Sequence, residues 1–365
     1  MTHVKFRQIV PKPASNANSQ PSSSSSSPLP RSSHGLSIIQ NGTLLVLFGG
    51  EHIARTPIEE TSQSLWIAKK KSKNDWQWVV PTITSSEVPP LRVAHAQAAV
   101  GDTIYVFGGR SGIDMGENAL NDLWMLHVDS DATTTADTDT IQAKWTQINA
   151  ALTNNNDQIP EARSFHKMIA VGTSIYMFGG CGANGRLNDL WKFDTLTNKW
   201  TELGASHVLR GRGGPNILSL AGDRIAVVAG FAGEETNDGH VYNCHAGAWE
   251  EKSLEGLEKM RPRSVCCFAS LPGVNKCIIF GGEVDPSQKG HEGAGGFERD
   301  VVVVDGTSGS VIETIQSNDE EEWPHNRGWA DAAVHEDTFY MFGGLAGDDS
   351  SPIRLDDLWQ CKVSP

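Results

Sequence analysis

The stretch "RSFHKMIAVGTSIYMFGGCGANGRLNDLWKFDTLTNKW", residues 163–200, contains the plan of the whole chain. An apolar run closes on two glycines, IYMFGG (175–180). A loop leads to a leucine–tryptophan pair, DLW (189–191), and a further tryptophan follows at Trp200. The strand ending recurs as LLVLFGG (44–50), IYVFGG (104–109), IAVVAG (225–230), CIIFGG (277–282) and FYMFGG (339–344). The pair recurs as SLW (64–66) and as DLW at 122–124 and 357–359, while GHVYN (239–243) and RDVVVV (299–304) take its place in the fourth and fifth units. Trp76 or Trp78, Trp145 and Trp249 match Trp200. Units repeating every 50 to 70 residues or so have the size of four-stranded propeller blades with variable loops. Six units predict an all-β, six-bladed β-propeller, with residues 1–365 forming a single domain.

The two ends of the chain supply one blade between them. The sixth unit stops after DLWQCKV, which provides a third strand and no fourth. The segment VKFRQIV (4–10) alternates apolar and polar side chains and belongs to no unit. Placed beside the C-terminal strand, it completes blade six and removes an exposed edge at the seam. The Ser/Pro tract 11–30 then reads as a flexible surface connection, and DSDATTTADTDT (129–140) as a loop of blade two.

Composition narrows the function classes. The net charge of −14 argues against a general phosphate-backbone binder, and KKKSK (69–73) reads as a solvated loop. No apolar run has the length of a membrane helix, and MTHVKFRQIV lacks the apolar core of a secretory signal. Six cysteines without a CxxC pair suit a reducing compartment, so the expected location is cytoplasmic or nuclear.

One arginine precedes each strand ending: Arg31, Arg92, Arg163, Arg212, Arg263 and Arg327. Each stands at the start of an innermost strand, and those starts surround one mouth of the central channel. Each reads either as an anchor between neighbouring blades, through carboxylates and carbonyls, or as part of a guanidinium ring suited to a small anion. Antiparallel connectivity puts the loop between strands two and three on the same face. In the fifth unit that loop, FGGEVDPSQKGHEGAGGFERD (280–300), sets Glu283, Asp285, His291 and Glu292 among glycines. Two carboxylates and an imidazole suit a divalent ion such as Fe(II) or Mn(II); a solvated acidic turn is the plainer reading. His34, His95 and His166 repeat with the blades and read as structural.

These repeats resemble the kelch family. Kelch propellers include the copper radical oxidase galactose oxidase, which uses tyrosine ligands. Tyr105, Tyr176, Tyr242 and Tyr340 occupy strand positions that read as blade core, so copper chemistry is not expected here. PRSSHG (30–35), ARSFH (162–166), GRGG (211–214), VVAGF (227–231), GGEV (281–284) with GH (290–291), and RGW (327–329) resemble, more narrowly, the plant specifier proteins. That resemblance implies a non-redox, Fe(II)-dependent lyase acting on the sulfated thiohydroximate released from a glucosinolate. It implies metal ligands at Glu283, Asp285 and His291, and catalytic arginines at Arg92 and Arg163. It implies that Trp329 walls the pocket; on the ring reading, Arg31, Arg212, Arg263 and Arg327 would bind substrate as well. The pattern departs at the middle ligand, where the spacing calls for aspartate at position 287 and the chain has Ser287, with Asp285 two residues early.

Two functions follow for testing. One is a specifier-like lyase with a small anionic substrate; the other is a non-catalytic kelch module presenting its loops to a protein partner. Neither nucleic acid nor membrane is an expected partner.

Overall fold

The computed structural model describes residues 2–14, 26–59, 61–112, 119–129, 141–148, 158–318 and 320–364. Most of the Ser/Pro connection expected over 11–30 and nearly all of the loop at 129–140 lie outside the described residues.

Six antiparallel sheets form the expected β-propeller. In blade three, for example, the strands from the axis outwards are Lys167–Val171, Ser174–Phe178, Asp189–Asp194 and Lys199–Ala205. Blade two has a fifth strand, Thr82–Ile83, running parallel to Gln142–Gln147. Blade six closes as the chain ends suggest: His3–Ile9 pairs antiparallel with Ser351–Ser364, Phe6 opposite Cys361 and Ile9 opposite Leu358.

The recurrent aromatic residues explain how the blades adhere. The fourth-strand tryptophan of one blade packs on the phenylalanine before the glycine pair of the preceding blade. Ring centroids are 4.8 Å apart for Trp145–Phe48, 5.2 Å for Trp200–Phe107, 5.6 Å for Trp249–Phe178 and 5.6 Å for Trp78–Phe342. At the seam Phe6 takes the tryptophan's part, 5.2 Å from Phe280. Burying each such side chain contributes about 1.5–3 kcal/mol, so the ring is held by apolar layers between blades. Tyr105, Tyr176, Tyr242 and Tyr340 are buried in these layers.

The glycine pairs turn the chain where blades crowd together. Gly108 and Gly109 have φ of 62° and 88°, and a Cβ on either would come within 2.7 Å of a backbone oxygen, that of Arg163 or Val93. A residue without a side chain meets both demands at least cost, although blade four places Ala229 at the first position, with φ of 59°.

Candidate functional site

The six repeat arginines have exposures of 0–1% and are spent inside their own blades. Arg163 shows the pattern: Nη1 and Nη2 donate to the two carboxylate oxygens of Asp189 at 2.7 and 2.6 Å, Nη1 also to Gly179 O at 3.0 Å, and Nε to Glu161 O at 3.1 Å. Arg92 grips Asp122, Arg212 grips Asp238, Arg263 grips Asp300 and Arg327 grips Asp357 in the same way. Arg31 differs because Ser64 stands where the others have aspartate, and it donates to the carbonyls of Leu29, Gly49 and Gln63. The expectation that these guanidiniums line an anion-binding mouth is therefore corrected, Arg92 and Arg163 included. A fork closed on a carboxylate has little left to offer a ligand.

Two residues beyond each arginine the chain closes the channel. Ser33, Ala94, Phe165, Gly214, Val265 and Trp329 all adopt left-handed backbone, with φ between 48° and 61°. Their amides form a closed circuit of hydrogen bonds. Ser33 N–H donates to Trp329 O, Ala94 to Ser33, Phe165 to Ala94, Gly214 to Phe165, Val265 to Gly214 and Trp329 to Val265, over 2.7–3.0 Å. The circuit satisfies six backbone pairs at the axis and forms a floor to the mouth.

On that floor Trp329 meets Phe165 edge to face at 5.4 Å. Two guanidiniums lie on the same face: Arg110 is 5.4 Å from the Phe165 ring, and Arg186, opposite Cys181 in a short hairpin that pairs with Ser164, is 4.5 Å from the Phe231 ring. Arg110 is buried, whereas Arg186 is exposed. Sequence reading named Trp329 and missed its neighbours. Phe165 holds the same repeat position as Trp329, a signal that was available; Arg186 sits in a loop with no repeat to mark it.

The blade-five loop is a hairpin, Glu283–Asp285 against Gly296–Phe297, with a short 3-10 turn at Gly290–Glu292. Glu283 pairs by its backbone with Ser264, which ties the loop to the start of the inner strand and confirms their common face. Its side chain is buried, which pushes the carboxyl up to about 7. Backbone amides of Ser287 and Gly295 donate to it and oppose the shift, while the charge of Asp349 adds to it. Next to it, burial pushes Glu235 up to about 8; Ser264 Oγ donates to Glu235 at 3.2 Å, and the Glu283 charge adds to the rise. Burial thus holds both acids well above the ordinary carboxylate range.

Of the expected metal ligands, Glu283 and Asp285 are engaged with other partners. Asp285 is exposed and faces Arg261 at 3.4 Å, while Arg261 also donates to Glu298 at 2.7 Å. Ser287 Oγ donates to Asp349, which reaches over from blade six and also accepts from Gln288 N–H at 3.1 Å. His291 lies in the 3-10 turn, with its side chain outside the described part of the structure. Among the described residues, no group of three or more His, Cys, Asp or Glu side chains is arranged to hold one ion. As arranged, Glu283 and Asp285 do not fit an iron site.

Comparison with known proteins places this geometry. The sequence pattern described as the KLHDC2/KLHL20/DRC7 Kelch-repeats domain matches residues 8–157 and 136–282. The chain belongs to the kelch-repeat family. Among kelch relatives, it is 29% identical over 324 residues to N-(sulfonatooxy)prop-2-enimidothioate sulfolyase of Thlaspi arvense, covering 83% of each chain. It is 24% identical over 318 residues to leucine-zipper-like transcriptional regulator 1 of Pongo abelii, covering 80% of this chain but only 33% of that protein. The solved structure of YjhT superposes with a TM-score of 0.64 at 15% identity, covering 93% of this kelch propeller and 99% of YjhT.

Proposed function

We propose that this kelch propeller is a specifier-like lyase that acts on a small sulfated, thiohydroximate-type compound at the Trp329–Phe165 floor. The observation that carries the reading is the likeness to the Thlaspi arvense sulfolyase, which runs over 83% of both chains and leaves no large part of either unmatched. The mouth supports it chemically. Trp329 and Phe165 offer apolar faces to an organic side chain, Arg186 offers exposed donors to a sulfate, and Glu283 and Glu235 hold protons near neutral pH. Dependence on Fe(II) or another divalent ion belongs to the same proposal. With Glu283, Asp285 and His291 as ligands, it requires Asp285 to leave Arg261 and Glu283 to release its backbone amides.

The test is product distribution from a glucosinolate plus thioglucosidase, with protein purified anaerobically in Fe(II) and its metal content measured. The proposal expects nitrile, epithionitrile or thiocyanate products that Arg186→Ala and Glu283→Gln reduce. A product mixture unchanged by the protein overturns it. The second reading, a kelch module docking a protein partner, draws on Ile53 and Ile353, which stand exposed on the loops of blades one and six. It is favoured if neither metal nor altered products are found.

A further inference from the structure

Beneath the floor lies a second chamber, independent of the mouth. A cavity of about 480 Å³ runs along the axis between the inner strands, within the size range of small-molecule pockets, roughly 300–1,000 Å³. Its outer end lies among the far-face turns at Gly101, Asn275 and Gly306. Its inner end is closed by the ring of six backbone hydrogen bonds.

At that closed end, Lys167 from blade three faces Asp331 from the opposite blade, six. Lys167 Nζ stands 3.6 Å from Asp331 Oδ1, beyond good hydrogen-bonding distance. Asp331 Oδ2 is held by Leu36 N–H at 2.8 Å, which leaves Oδ1 turned to the lysine. The ammonium also lies 5.6 Å from the Phe268 ring centroid. The walls towards the far face are mostly aliphatic, with Ile38, Ala99, Ile169 and Val334 among them.

We infer that the channel is a second ligand site, for a small uncharged molecule with a hydroxyl head and an aliphatic body. The head is defined by the gap. A hydroxyl oxygen seated beside the pair, on the channel side and about 2.8 Å from each atom, accepts a hydrogen bond from Lys167 Nζ and donates one to Asp331 Oδ1, bridging the two. A carboxylate head would meet Asp331 and an ammonium head would meet Lys167, each a like-charge contact that a hydroxyl avoids. The aliphatic body then lies along the channel wall.

Three probes with one tail and different heads test this on the full chain: hexan-1-ol, hexanoate and hexylammonium, titrated by ligand-observed NMR. The wild type should bind the alcohol about tenfold more tightly than either ion, a difference of one decade in Kd. Lys167→Met should turn the preference to hexylammonium, and Asp331→Asn, which keeps an acceptor for Leu36 N–H, should turn it to hexanoate. Circular dichroism checks that the variants fold; if one does not, the wild-type ranking still decides. Equal binding of all three heads, no saturable binding, or preferences unmoved by the variants overturns the inference.

Discussion

Blade one contains a defect that a single substitution should repair. In blades two, three and six the aspartate two residues before the tryptophan serves two donors. It closes the arginine fork, and it accepts the indole N–H of Trp124, Trp191 or Trp359 at 2.6–2.7 Å. Ser64 replaces that aspartate in blade one. Arg31 is wholly buried with carbonyl partners only, and burial pushes its guanidinium down to about 9. The indole N–H of Trp66 is buried with no acceptor among the described residues. Ser64→Asp supplies both groups at once. Hydrogen bonds to charged groups contribute about 1.5–3 kcal/mol each and a buried orphan donor costs about 1–3 kcal/mol. Desolvating the new carboxylate offsets several kcal/mol of that sum. The net expectation is stabilisation by about 2 kcal/mol. With an unfolding entropy of ~2.1 cal/mol/K per residue over 365 residues, that raises Tm by roughly 2–3 °C. Urea unfolding should show a higher midpoint at unchanged slope. Ser64→Asn, which carries no charge, should recover less than half the gain. The reasoning is refuted if Ser64→Asp destabilises the protein, or if its effect persists undiminished in an Arg31→Met background.

Other predictions follow from the same geometry. Asp300→Asn leaves the fully buried Arg263 without its counter-charge and should cost about 3–5 kcal/mol in urea unfolding. His34, His95 and His166 are buried, which holds their pKa values well below the ordinary imidazole value, so the folded protein keeps them neutral. Their contribution is complete above pH ~6.5 and is lost as pH falls below it, by about 1.4 kcal/mol per unit for each, because the unfolded chain binds the protons. The raised carboxyls Glu235 and Glu283 act in the opposite sense, so comparison with His95→Phe isolates one imidazole. The stability difference between that variant and wild type should be flat above pH 6.5 and should change by about 1.4 kcal/mol per unit below it. Deleting residues 2–10 removes Phe6 from Phe280 and Trp323 and exposes the edge of the C-terminal strand. Size-exclusion chromatography should show self-association, reversed by adding the peptide HVKFRQI.

Repetition made the architecture readable. A glycine pair, a DLW and a tryptophan recur because each blade solves the same packing problem, and Phe6 could be placed because the seam needs a fourth strand. The repeat arginines were located correctly and their two tasks, anchor or anion ring, stayed open, since nothing in a linear pattern tells whether a guanidinium turns to solvent or to an aspartate some 26 to 37 residues later in its own blade. Ser64 carried a hint, as the one unit ending in SLW. The floor of the mouth depends on left-handed φ at six dissimilar residues, from Gly214 to Trp329, which composition does not reveal. The blade-five loop was hidden in another way. Ser287 looked like a missing ligand, yet its hydroxyl is used on Asp349, and only the folded ring brings blade six against blade five.

The central claim is that the mouth, bounded by Trp329, Phe165 and Arg186, receives a small sulfated organic anion. Calorimetric titration with propyl sulfate, a stable stand-in for the reactive substrate, tests it most directly. The account predicts one saturable site, weakened about tenfold by Arg186→Ala and by Trp329→Ala, a loss of roughly 1.4 kcal/mol each, and untouched by Lys167→Met in the channel. Absence of saturable binding, or binding that both mouth variants leave unchanged, would contradict it.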